Sequence, residues 1–206
     1  SAAGTKLQAS KGITEDSPQS HYDDVMNISG NTADPYILRL ATENAASAFD
    51  WLTDNGFEVY PNHPVTGTTH EPYSHARYAW HREGGMGILE LFEKQLEPLV
   101  SSGAVVIQTS TEATELIKDN DDRVIGVVTV DAEGKTARYM GKNIVLTSGG
   151  YASNSEMFEE LEGAIDYSDV SYPYSQGAGI TLGTSVGGYV RYGENHLPLF
   201  GAILAD

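Results

Sequence analysis

The chain has 206 residues, 40% of them hydrophobic, with 29 acidic side chains against 12 basic ones, a formal net charge of −17 and no cysteine. The balance is that of a globular chain able to bury most of its apolar surface, and so acidic a surface repels nucleic acid and anionic membranes. Disulfides, thiolate metal sites and cysteine nucleophiles are excluded outright, and no apolar run approaches the ~20 residues of a membrane span.

Taken in chain order, Ser1 to Ser10 is small and polar, with Ser1, Ala2, Ala3 and Gly4 suited to close backbone approach. Ser17-Pro18 is a helix start, serine as N-cap and proline at the first helical position, and the helix runs to about Ser29 before Gly30-Asn31. Asp34-Pro35 repeats that signal. Ile37, Leu40, Ala41, Ala45, Ala48, Phe49 and Leu52 follow at helical spacing until Asn55-Gly56 stops them. Phe57 to Tyr60 reads as a short strand. Pro61 to Trp80 has no periodicity, and a loop of that length inside a domain is often functional. Gly84-Gly85 precede a third helix whose expected buried face is Ile88, Leu91, Phe92, Gln95, Leu96 and Leu99; Pro98 predicts a kink or early stop, and Ser102-Gly103 closes it.

A dense β region is expected next: Ala104 to Thr109, Ala113 to Lys118, Arg123 to Asp131 and Thr136 to Gly141, the later ones joined by tight turns and hence antiparallel. Ile144 to Leu146 is apolar throughout, like a strand covered on both faces. Ser153-Asn154 caps a short acidic helix near Glu156 to Leu161. Asp166 to Ser175 is a Tyr-rich loop. Gly177 to Gly188 suggests a helix opened by glycines, and Tyr189 to Tyr192 a strand. Ala202 to Asp206 carries no stop signal, and the chain is expected to be an internal piece of a longer protein.

Three glycine-centred clusters could carry chemistry: Ser1-Ala2-Ala3-Gly4-Thr5, Val145-Leu146-Thr147-Ser148-Gly149-Gly150 and Gln176-Gly177-Ala178-Gly179. Glycine at a strand-to-helix junction lets backbone approach a ligand, although each cluster alone also fits an ordinary tight turn. His63, His70, His75 and His81 lack the short paired spacing of zinc motifs, so no metal is expected. His81-Arg82, ahead of Gly84-Gly85, is a candidate anion or substrate contact, with simple helix entry as its alternative. There is no Gly-x-Ser-x-Gly elbow for a serine hydrolase. No complete Rossmann fingerprint supports an enzyme using NAD(P) alone.

The order of these pieces resembles the flavoprotein subunits of fumarate reductases and succinate dehydrogenases and related FAD-dependent enoate and ketosteroid enzymes. Ser1 to Gln8 is similar to that family's Asn-Ala-Ala-Gly-Thr segment, with serine in place of asparagine. Gly12-Ile13-Thr14-Glu15-Asp16-Ser17-Pro18, Asp34-Pro35, Asp50-Trp51-Leu52, His81-Arg82-Glu83-Gly84-Gly85, Arg123-Val124-Ile125-Gly126-Val127, Ser148-Gly149-Gly150 and Asn154 with Met157 follow in the family's order. The His-Arg segment is one residue shorter than usual and lacks its proline. Ala178 stands where the family has aspartate in Gly-Asp-Gly.

The resemblance implies an α/β chain: a partial FAD/NAD(P)-binding, Rossmann-like domain with an antiparallel β meander and several helices. It divides into a helical segment 12–101, the meander 104–141, a nucleotide-sheet strand with its glycine motif 143–150, and the start of a connection to a capping domain 151–206. It implies FAD as cofactor of the full-length parent. Ala2, Ala3, Gly4 and Thr5 would lie along the pyrophosphate and flavin, Thr114 would meet the adenine edge, and Ser148, Gly149, Gly150, Gly177 and Gly179 would pack near the dinucleotide. The Gly-x-Gly-x-x-Gly turn is expected before Ser1, and the capping domain and the C-terminal flavin segment after Asp206. The implied reaction is hydride exchange with a carbon–carbon bond of an unsaturated acid or an enone or steroid, with an arginine as proton donor. The catalytic Arg and His are expected mostly outside this chain, and His196 is offset from the family's substrate histidine. The isolated chain is therefore expected not to turn over substrate. A stand-alone, non-enzymatic binding or interaction module derived from this fold is the alternative. A small-molecule substrate and a homodimer through exposed sheet edges are the expected partners. The cytoplasm is the expected compartment, with the periplasm as its alternative.

Overall fold

The computed structural model describes residues 1–67, 73–163, 171–191 and 193. They form two compact units, Ser1–Ile107 and Gln108–Asp206. The first unit is helical. Helix α1 is Lys6–Ser10, α2 Pro18–Ile28, α3 Pro35–Asp54 and α4 Met86–Ser101, with α3 packed on α1 and α2.

Local chemistry accounts for the helix starts. Ser17 Oγ accepts the amide of Ser20 at 3.1 Å, and Asp34 Oδ1 accepts those of Tyr36 and Ile37 at 3.0 and 3.1 Å, so each cap satisfies donors that the first turn leaves free. Helix α4 continues past Pro98 to Ser101. The early stop expected there does not occur, because a proline in the last turn removes a single ladder bond. Leu91 is its buried leucine and Ile88 and Leu96 are half-buried, whereas Phe92, Gln95 and Leu99 are exposed. The inward stripe is narrower than expected because Phe92 turns aside to stack on Trp51, ring centres 6.2 Å apart.

Residues 57–65 and 77–82 run antiparallel. Val59 bridges His81, Val65 bridges Tyr78, and the Tyr60 amide donates to the Trp80 carbonyl at 3.0 Å. The stretch expected as a structureless loop is thus a folded-back ribbon, and the expected strand at 57–60 is one bridge of it. Residues 68–72, with His70, lie outside the described residues.

The second unit holds β1 (Thr111–Lys118), β2 (Val124–Asp131) and β3 (Thr136–Met140), an antiparallel meander in that order, then α5 (Ser155–Glu162) and α6 (Ala178–Ser185), which packs on β1. Leu116, Ile117 and Leu182 are its buried hydrophobics among the described residues. Asn154 Oδ1 caps α5 at the Met157 amide, 3.0 Å away.

Three expected strands are absent among the described residues. Residues 104–109 and 144–146 are irregular, with Val106 and Val145 each 80% exposed. A strand exists only as one side of a ladder, and no described residue pairs with either segment. Tyr189 and Val190 are not in a strand, and Tyr192 lies outside the described residues, as do residues 164–170 of the Tyr-rich loop, His196 and residues 202–206.

Candidate functional site

The first candidate region lies within the first unit, where Ser1–Thr5 lead into α1. Ala2, Ala3 and Thr5 are buried, while Gly4 sits on the surface with φ +78°. That left-handed backbone is open to glycine and costs an ordinary residue about 1–2 kcal/mol. Thr5 and Gln8 form a capping box: the Gln8 amide donates to Thr5 Oγ1 at 3.1 Å and the Thr5 amide to Gln8 Oε1 at 3.2 Å. The Gly4 amide also donates to Gln8 Oε1, at 2.7 Å, and the Ala2 amide to the Arg77 carbonyl, at 3.3 Å. With these three amides committed internally, the segment offers a ligand small side chains and not a row of free donors.

Beneath it lies a buried ionic cluster. Arg77, 1% exposed, makes a two-pronged contact with Asp16, Nε to Oδ2 at 2.9 Å and Nη2 to Oδ1 at 2.7 Å, and reaches Asp24 Oδ2 with Nη1 at 2.5 Å. Ser20 Oγ and Gln8 Nε2 donate to Asp16 at 2.6 and 2.7 Å. Burial pushes the Asp16 carboxyl up, but the hydrogen bonds from Arg77, Ser20 and Gln8 outweigh it and hold the pKa at about 2. Beside the cluster, burial and the Arg77 charge drive the His21 imidazole down to about 4, so it is neutral at pH 7. Its ring packs edge-on to Tyr73, centres 5.3 Å apart, and Nδ1 has no hydrogen-bond partner among the described residues.

A cleft of about 270 Å³ opens at this point, lined by Ala2, Thr5, Gln8 and Arg77 on one side and by Ala45, Ala48 and Phe49 of α3 on the other. Its lining is mostly apolar with a few polar groups, the composition of a small-molecule site.

The second region lies within the second unit. Ser148–Gly150 lie against the start of α6: the Gly177 amide donates to the Gly150 carbonyl at 2.9 Å, and a Cβ on Gly179 would come 2.5 Å from Ser148 Oγ. Gly177 has φ +81°, and a Cβ there would run into the Met157 thioether. Gly150 faces open space. The structure therefore gathers five of the predicted residues, Ser148, Gly149, Gly150, Gly177 and Gly179, into one patch. Thr114 sits apart on β1, exposed, beside a bulge, with its hydroxyl donating to the Val128 carbonyl at 3.4 Å.

His81 and Arg82 diverge. His81 is buried against Phe57, ring centres 5.0 Å apart, and lies under Gly87, where any Cβ would strike its ring. Its Nδ1 accepts the Glu83 amide at 3.0 Å. Arg82 is exposed and pairs with the equally exposed Glu58 at 3.2 Å.

Gln8, Asp16 and Arg77 join the site without having been expected there from the sequence. A Thr-x-x-Gln capping box signals Gln8; no local rule links Arg77 to an aspartate 61 residues earlier.

Among known proteins, the family described as "FAD binding domain" matches residues 1–195. NADH:fumarate oxidoreductase of Klebsiella pneumoniae (strain 342) is 28% identical over 199 residues, 94% of this chain and 20% of that protein. Urocanate reductase of Eggerthella lenta is 29% identical over 153 residues, 69% of this chain and 23% of that protein. The structure of the open conformation of a flavocytochrome c3 fumarate reductase superposes with a TM-score of 0.76 at 20% identity, covering 90% of this chain and 32% of that one. The chain thus spans about a fifth of the length of the first two relatives.

Proposed function

This chain belongs to the FAD binding domain family of the fumarate reductase and succinate dehydrogenase flavoproteins, and from that premise we propose that Ala2, Ala3, Gly4 and Thr5 bring their main chain against FAD. The observation that carries this reading is the cleft lined by Ala2 and the buried Thr5 of this segment, with Ala45, Ala48, Phe49 and Leu52 of α3 as its apolar far side. The residues fit the group by size and by lack of charge: Arg77, the buried cation of the cleft, is already neutralised by two carboxylates, so the wall there suits an uncharged ring better than a phosphate.

When bound, FAD supplies hydride exchange at flavin N5. The chain's own residues bind and orient. We assign Ser148, Gly149, Gly150, Gly177 and Gly179 to the dinucleotide, where missing side chains permit approach and amides at the start of α6 can meet a phosphate oxygen. Thr114 is assigned to the adenine edge.

The whole protein, on this reading, transfers hydride to or from a carbon–carbon bond of an unsaturated acid or enone. The activities for which the relatives are named, on fumarate and urocanate, support that reaction type. Arg82 is assigned to a substrate carboxylate, because its exposed pairing with Glu58 exchanges at little cost.

Titrating the chain with FAD and following flavin fluorescence tests the binding claim. Saturable quenching that is weakened by Ala2→Leu is expected. Quenching equal in both forms, or none in the wild type, contradicts it.

A further inference from the structure

Resting on the proposed contact of Ala2–Thr5 with FAD, we propose that Gln8, anchored by Asp16 and Arg77, is the positioning residue that sets this segment for the cofactor. A carboxamide has two donor hydrogens and two acceptor lone pairs. At Gln8, 1% exposed, all four are used. Oε1 accepts the amides of Gly4 and Thr5 at 2.7 and 3.2 Å, and Nε2 donates to Asp16 Oδ2 and to the Ala76 carbonyl at 2.7 and 2.9 Å. Only one orientation of the amide meets all four partners, so the side chain cannot flip or turn without leaving buried groups unpaired.

Arg77 closes the arrangement from both sides. Its carbonyl takes the Ala2 amide, and its guanidinium fixes the Asp16 carboxylate that Gln8 reads. The planar fork locks the carboxylate in angle as well as in distance. The restraint falls on a segment that cannot order itself: α1 has five residues, too few to outweigh the cost of helix nucleation. Ala2, Thr5, Gln8 and Arg77 all line the same cleft, so the clamp and the proposed contact surface are one structure. A substitution at Gln8 is transmitted to the amides of Gly4 and Thr5 while Ala2, Ala3, Gly4 and Thr5 themselves keep their side chains.

The test uses Gln8→Met, which keeps the length of the side chain and removes all four bonds. Amide hydrogen exchange at Gly4 and Thr5 is expected to accelerate at least about tenfold, with α3 amides unchanged, and the FAD dissociation constant to rise about tenfold. Gln8→Glu keeps the acceptor but sets a carboxylate against Asp16. Its FAD affinity is expected to be weak at pH 8 and to recover toward wild type near about pH 5, where the neutral carboxyl donates to Asp16 again. Faster exchange with unchanged FAD affinity overturns the positioning role and leaves the FAD contact standing. A wild-type chain with no affinity for FAD defeats the contact itself and the role with it. Should Gln8→Met fail to fold, a Gln8→Glu affinity flat between pH 5 and 8 overturns the role.

Discussion

In the first unit Ala2–Thr5 are held by a polar cluster, the neighbouring Gln8 backed by Asp16, Asp24 and an arginine, Arg77, that lies 61 residues beyond Asp16. In the second unit Ser148–Gly150 are held by the absence of side chains, where Gly177 and Gly179 let two backbone segments and the Met157 thioether meet. Charge fixes orientation strongly but makes the region sensitive to proton and partner. Close glycine packing is indifferent to pH but intolerant of a single methyl group.

The largest effect separating the two regions is expected from Arg77→Met. It strands the Asp16 and Asp24 carboxylates without their cation, at a cost of about 3–5 kcal/mol to the first unit. Thermal denaturation followed by tryptophan fluorescence reads this unit alone, since both tryptophans, Trp51 and Trp80, lie in it. A loss under about 1 kcal/mol would place Arg77 among weak ion pairs and dissolve the contrast.

Acid gives the next largest difference. His21 has a folded pKa of about 4 against 6.5 for the free side chain, so the unfolded state takes up a proton that the folded state refuses. The first unit is expected to lose up to about 3 kcal/mol as pH falls from about 6.5 to 4. Asp16 extends the loss: its pairing is fully present above its unfolded value of 3.8 and disappears as pH falls through about 2. Amide signals of β2 should persist over the first interval. Equal acid sensitivity of both units would contradict the comparison.

The smallest of the three is Gly179→Ala. A methyl group 2.5 Å from Ser148 Oγ forces the serine or the backbone to move, at about 1–3 kcal/mol. The loss should be confined to the second unit and constant from pH 5 to 8. Crystallography of the variant with Ser148–Gly150 undisplaced would contradict the packing account.

The difference between the regions also explains what is legible in the sequence. Ser17, Asp34 and Asn154 announce their helices because a cap is a rule spanning three residues. The turn at Asn120 to Asp122 announces the β1–β2 hairpin in the same way. Glycines mark the second region directly, since a missing side chain is a property of the residue type and needs no tertiary partner to be recognised. Arg77 is not legible: it sits in an aperiodic stretch, and its partners are chosen by tertiary folding alone. The apolar run 144–146 misleads for the opposite reason. Its composition states a preference for a covered sheet, but a strand also needs a neighbour, and none of the described residues supplies one.

Amide chemical shifts recorded with and without FAD locate where the cofactor meets the chain. FAD is expected to perturb Ala2–Thr5 and Ser148–Gly150 most strongly and to leave the hairpin turn 132–135 unmoved. Perturbation centred elsewhere, with Ala2–Thr5 silent at saturating FAD, would contradict it.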